Sequence, residues 1–386
     1  MSEHRLLPAV QAALGTVMDP ELGRPIADLG MIDSIDIDDQ DRVTVTVLLT
    51  TGGCPLRDHL TQDVTQAVLS VEGVTDARVT MGVMNEEQRE AVRATLRGGT
   101  PEPVIAFAQP GSTTRVIAIA SGKGGVGKSS LAVNLACALA AAGKKVGLLD
   151  ADIYGHSIPD MLGIGEDEGP TVIEDMDLML PVEAHGITMM SIGMMKPDRH
   201  DVVAWRGPIL DRALSQFLTD VHWGDLDYFL IDLPPGTGDV AISIGQKLPN
   251  AEVIVVTTPQ MAATEVAERA GTMASIMKQR VLGVVENMSY LDTSCPHCGQ
   301  SHRVDVFGTG GGAEVAASLT SRLGYDIALL AEIPLEPDFR VAGDKGTPSV
   351  VIDPTRPAAA AIVSLADRLI NTKRNLAGFR LNLGVE

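Results

Sequence analysis

The chain is short of several things, and each shortage narrows its class. Aromatic residues make up only 3% of it, so any core must rest on Val, Ile, Leu, Ala and Met. There are four cysteines in 386 residues, Cys54, Cys137, Cys295 and Cys298. That is too few for a disulfide framework, and a reducing cytoplasm is the expected setting. Basic residues are in deficit, 30 Lys and Arg against 50 Asp and Glu, for a formal charge of -20. Such a surface repels phosphate backbones, so neither nucleic acid nor an anionic membrane is an expected partner. The longest apolar runs, such as 135–142, fall far short of the roughly 20 residues of a membrane span. The polar start, Met1-Ser2-Glu3-His4-Arg5, leads into no apolar stretch and predicts no secretory leader.

Apolar residues, at 45%, are plentiful enough for more than one core. Residues 1–97 read as a small α+β domain. Helical spacing covers 6–17, and alternating strands cover 31–37 and 42–49 around an acidic turn at 38–41. A helix over 56–70, a strand over 76–81 and a polar helix over 85–97 follow, making a βαβ-like unit. Residues 98–114, with Gly98-Gly99-Thr100-Pro101 and Gln109-Pro110-Gly111-Ser112, read as a linker. From 115 to 386, apolar runs at 116–120, 146–150, 228–232, 253–257, 281–286 and 328–333 alternate with helical segments, closing in a helix over 358–376. Near-continuous apolar strands predict an α/β domain, its mostly parallel sheet flanked by helices.

Gly122-Lys123-Gly124-Gly125-Val126-Gly127-Lys128-Ser129 lies between the strand at 116–120 and a helix over 129–142. That context and spacing predict a P-loop binding a nucleoside triphosphate, with Ser130 next in the helix. Glycines let backbone N–H groups close around phosphate oxygens, and the helix N-terminus adds partial positive charge. Lys128 is expected to reach the β- and γ-phosphates and Ser129 to ligate Mg²⁺. Asp232 ends the apolar run Tyr228-Phe229-Leu230-Ile231 and is expected to hold Mg²⁺ through water. Leu233-Pro234-Pro235-Gly236-Thr237-Gly238-Asp239 then reads as a γ-phosphate-sensing switch. Asp150 and Asp152 stand at another strand end, where an open α/β sheet meets its ligand. Asn287 ends a later strand, and its amide can pair with an adenine edge.

Lys123, a second lysine inside the loop, resembles the signature lysine of the deviant Walker A group, which includes MinD, ParA, the arsenical pump ATPase and nitrogenase iron protein. That resemblance implies a P-loop NTPase fold, a face-to-face homodimer and action of Lys123 on the partner's nucleotide. It also assigns Asp152 to orienting the attacking water, and Asn287 to the base.

Cys295-Pro296-His297-Cys298 leaves three readings open from its residues. A redox disulfide would want a helix start, and Gly299-Gln300-Ser301-His302 is a poor one. Structural zinc wants four ligands, from one chain with His302 or from two chains. A 4Fe–4S cluster takes four thiolates, which two chains would supply. Cys54 precedes a predicted helix and reads either as a metal-binding or as a merely tolerated thiol. Cys137 reads as core, and Met189-Met190 and Met194-Met195 as core or interface filler.

Taken together, the loop with its second lysine, Asp150-Ala151-Asp152-Ile153-Tyr154-Gly155, Asp232 to Asp239, Glu286-Asn287-Met288-Ser289 and the Cys295–Cys298 motif resemble the Mrp/ApbC iron–sulfur carrier family. Asp19-Pro20-Glu21, Asp28-Leu29-Gly30 and Thr50-Thr51-Gly52-Gly53-Cys54-Pro55 resemble the small domain found in those and other iron–sulfur assembly factors. The resemblance implies a cytosolic ATPase that carries a 4Fe–4S cluster bridging two subunits and hands it to apo-proteins. His156 departs from the family pattern, which has Pro before the Ser of this loop. A MinD- or ParA-like positioning ATPase and a zinc-stabilised P-loop ATPase are the alternatives.

Overall fold

A computed structural model of the chain describes residues 4–20, 22–49, 57–96, 104–109, 111–152, 155, 157–173, 178–195 and 207–372. Cys54 with its 50–55 motif, Glu21, Ile153, Tyr154, His156, much of the expected linker and the end of the closing helix lie outside the described residues. Chain contacts divide the protein into two compact units. The first takes Met1–Val104 with Thr171–Leu180 and Thr219–Gly224, and the second takes the rest.

In the first unit the strands Ile32–Ile37 and Arg42–Leu49 pair antiparallel, and Arg42–Leu49 pairs in parallel with Asp76–Val83. The turn forms because Asp38 Oδ1 accepts the backbone N–H groups of Gln40 and Arg42 at 2.9 and 3.0 Å. The helix Arg57–Leu69 carries the crossover between the parallel strands, a true βαβ unit. Val10, Leu14, Val45, Val47, Leu60 and Val64 fill the core. Ile173 and Leu178 join that core from far along the chain. Nothing in their local sequence announces it, because the short hairpin Thr171–Ile173 with Leu178–Leu180 is recruited by tertiary packing.

In the second unit eight strands run in the order Ala328–Ile333, Arg280–Asn287, Glu252–Thr257, Arg115–Ser121, Tyr228–Asp232, Val146–Asp150, Ile187–Ser191 and Val182–Ala184. Only the last pairs antiparallel. The strands Arg115–Ser121, Val146–Asp150, Tyr228–Asp232 and Glu252–Thr257 are buried along their whole length, as strands covered by helices on both faces must be. The six expected strands are all present. Two more, Ile187–Ser191 and Val182–Ala184, were not expected, and Met189 and Met190 are wholly buried in the first of them.

Arg115 fixes the start of the central strand. Its Nε donates to Glu252 Oε2 at 2.5 Å and its Nη1 to Leu369 O at 2.6 Å, tying strand, neighbour and the closing helix Pro357–Asn371 together. Parallel strands side by side end at one edge of the sheet. Asp232 is therefore registered against Asp150 on one side and Ile119 on the other. Everything chemical in this unit begins at that edge.

Candidate functional site

The loop after Ser121 turns directly into the helix Lys128–Ala141. Gly127 takes φ 81, and a Cβ there would collide with the Asn287 amide, so only glycine fits. No side chain caps this helix, which leaves its first N–H groups for an anion. A cavity of about 600 Å³ opens here, lined by the loop from Lys123 to Ser130 with Asp152, Pro234, Pro235 and Asp239. That volume lies in the usual range for a small-molecule site.

Lys128 is almost fully buried, and its Nζ meets Asp232 Oδ1 at 2.7 Å and Asp152 Oδ2 at 3.5 Å. The Ser129 hydroxyl donates to Asp232 Oδ2 at 2.6 Å. The expected Lys128, Ser129, Asp152 and Asp232 thus converge, although Lys128 and Asp232 are 104 positions apart. A hydroxyl beside a carboxylate is an all-oxygen donor set, which fits a hard cation such as Mg²⁺. Asp152 Oδ1 also accepts the Gly155 N–H at 3.1 Å, which orients its carboxylate beside Lys128.

Asp150 sits behind these groups with no exposure at all. It accepts from Ser191 Oγ at 2.8 Å and from the Asp152 N–H at 3.1 Å, so it braces the start of the loop that carries Asp152. Burial first, and then the neighbouring Asp232 charge, push its carboxyl up to about 8. Burial also raises Asp232, against the opposing pull of Lys128. A raised acid favours the fold while it is protonated. The stability from Asp150 is therefore full below its ordinary value of 3.8 and is lost as pH rises to about 8. Asn at this position reproduces the neutral acid, its oxygen accepting from Asp152 N–H and its amide donating to Ser191. We expect the thermal midpoint of wild-type protein to fall between pH about 4 and about 8, and the fall to be much shallower in Asp150→Asn. Scanning calorimetry across that range checks it. An equally steep fall in the variant would remove Asp150 as the cause.

Asn287 is at the same sheet edge, 8% exposed, and its Nδ2 donates to Val126 O at 2.9 Å. The expected partner of this amide is the adenine edge. Here its N–H grips the phosphate loop, and it is not among the cavity's lining residues. Lys123 Nζ donates to Gln260 Oε1 at 2.9 Å, a partner no local pattern suggested. The switch residue Gly236 donates its N–H to Ser121 O at 2.8 Å.

Cys295 and Cys298 stand at the tip of an antiparallel hairpin, Leu291–Ser294 with Ser301–Val304. Cys295 N–H donates to Gln300 O at 2.8 Å and Gly299 N–H to Cys295 O at 2.9 Å, with Gly299 at φ 72. Backbone bonds thus close the turn, and both thiols stand at its tip. Cys298 is exposed and Cys295 half-buried. The Cys298 N–H, then the His297 N–H and the Cys298 thiol, hold the Cys295 thiol below its ordinary range, as a metal ligand requires. The pair does not open a helix, which removes the structural basis of a thioredoxin-like redox site. His302 is not gathered with it either. Among the described residues, no group of three or more His, Cys, Asp or Glu side chains is placed to hold a metal. Cys137 is buried in the core, where desolvation pushes its thiol up to about 12, so it is inert. Among the described residues, no helix is long and apolar enough to cross a membrane.

Comparison with known proteins agrees with this geometry. Residues 112–370 match the family described as NUBPL iron-transfer P-loop NTPase, and residues 8–81 match an iron–sulfur cluster assembly protein family. An iron–sulfur cluster carrier protein of Mycobacterium bovis is 52% identical over 97% of this chain and 96% of its own length. Proteins of the same description from Deinococcus radiodurans (42% identical, 94% of each chain) and Bacillus subtilis (40% identical, 88% of this chain and 91% of that one) are similar along nearly as much of the sequence.

Proposed function

The chain belongs to the NUBPL iron-transfer P-loop NTPase family, and from that premise we infer that it is an ATP-dependent iron–sulfur cluster carrier. The carrying observation is the presence, in one unit, of an ATP-type phosphate loop and a two-thiol turn that offers half the ligands of a cluster. A MinD- or ParA-like positioning ATPase shares the loop but has no use for Cys295 and Cys298, and the family match favours the carrier.

ATP would lie with its phosphates over residues 122–130. The loop N–H groups and Lys128 would hold the β- and γ-phosphates, with Lys128 exchanging the Asp232 carboxylate for phosphate oxygens. Mg²⁺ would be held by Ser129 and, through water, by Asp232, and it supplies charge neutralisation across the phosphate oxygens. Asp152 would orient the attacking water, and Asn287, through its bond to Val126 O, would keep the phosphate loop in register. Lys123 would act on the nucleotide of a second chain.

The cluster is cargo. Cys295 and Cys298 of each of two chains would supply four thiolates to one 4Fe–4S cluster at the dimer surface. The exposed turn suits hand-over to an apo-protein. The cytoplasm, where thiols stay reduced, is the fitting compartment. The test is transfer: protein loaded anaerobically with cluster should activate an apo-enzyme that needs 4Fe–4S, in the presence of a chelator that intercepts free iron. Activation that the chelator abolishes would mean iron release, not carriage.

A further inference from the structure

Lys123 has a cis partner whose position is fixed independently of the lysine. Gln260 begins the helix Met261–Ile276, where its carbonyl accepts the Ala263 N–H at 2.8 Å. Just before it, Pro259 is packed so closely on Gly311 that a Cβ at Gly311 would strike the Pro259 backbone. The Pro259-Gln260 turn is thus wedged in place, and the Gln260 carboxamide is a preset acceptor. The lysine end is equally tied down, because Ser121 Oγ donates to Lys123 O at 3.1 Å while Ser121 O holds the switch residue Gly236. Both ends of the 2.9 Å Lys123–Gln260 contact therefore belong to anchored backbone.

We propose that Gln260 is a positioning residue that holds Lys123 on its own chain and competes with the partner's nucleotide for that ammonium. It thereby sets how readily ATP-bound chains pair. This rests on the reading that Lys123 acts in trans. An ammonium bonded to a neutral amide keeps most of its charge available, so the contact orients the lysine and can still be displaced by phosphate. A carboxylate in the same place would not be displaced so easily.

The test measures pairing by sedimentation of cluster-free full-length protein with AMP-PNP and Mg²⁺ under reducing conditions. Gln260→Ala removes the competitor and should tighten pairing, by roughly tenfold to a hundredfold for one hydrogen bond to a charged group. Gln260→Glu replaces it with an ion-pair partner and should weaken pairing by a similar factor. Both effects should vanish in a Lys123→Ala background. Opposite signs separate this role from simple damage to the helix start, which would move both variants the same way. Equal or parallel behaviour of the two variants, or a difference that survives Lys123→Ala, overturns the proposal. If Lys123→Ala pairs as well as wild type, the trans reading itself fails and the proposal falls with it.

Discussion

Lys128→Ala is expected to lower ATP turnover by about 10²–10³-fold, the scale for removing one preorganised charge from a transferring phosphoryl group. The structure gives two reasons for the size. Lys128 is the cation inside the cavity that meets both Asp232 and Asp152. Removing it leaves two nearly or wholly buried carboxylates without the lysine charge that meets them. Binding should therefore fail along with chemistry. Lys123→Ala, by contrast, should spare nucleotide binding by a single chain, because Lys123 bonds to Gln260 and not to the Asp cluster. Phosphate release and nucleotide titration on the same preparations separate the two. If Lys128→Ala binds and hydrolyses ATP like wild type, the site is misassigned.

The second large effect concerns the thiols. Cys295→Ser and Cys298→Ser should each abolish cluster retention after anaerobic reconstitution, bringing bound iron to background and removing the broad visible absorption. A serine hydroxyl does not ionise to the thiolate-like ligand that iron needs. Collapse of the hairpin would not be the explanation. The turn is closed by Cys295 N–H to Gln300 O and Gly299 N–H to Cys295 O, which use no sulfur, and the hydroxyl oxygen in Cys295→Ser can still accept the Cys298 and His297 N–H groups that meet the Cys295 thiol. Nucleotide binding should persist in both variants. A Ser variant that keeps its iron would place the cluster elsewhere.

These outcomes rest partly on features that could be read before any fold was known. The phosphate loop is contiguous, so Lys123, Lys128 and Ser129 are legible from spacing. Asp150 and Asp232 are legible because each ends an apolar strand, and parallel strands end together. Contacts between distant positions were not legible. Asn287 bonds Val126 across 161 positions, and Lys123 bonds Gln260 across 137. No local pattern encodes either. The strand Ile187–Ser191 is not legible because its one Met pair, Met189-Met190, reads as filler, and methionine has no strand preference to advertise. The cysteine hairpin was missed because both its strands are four residues long and largely polar, Leu291-Asp292-Thr293-Ser294 and Ser301-His302-Arg303-Val304. Its turn chemistry, Gly299 in the left-handed region, became readable only with the backbone in view.

We propose that two chains share one cluster through Cys295 and Cys298. The most direct measurement is the iron and acid-labile sulfide content of anaerobically reconstituted protein, with the mass of the iron-bearing species taken from the same sample. Sharing predicts about two irons and two sulfides per chain, carried by a species with the mass of two chains and lost in the double Cys→Ser variant. About four irons on a species with the mass of one chain, zinc in place of iron, or a cluster retained by the double variant would contradict it.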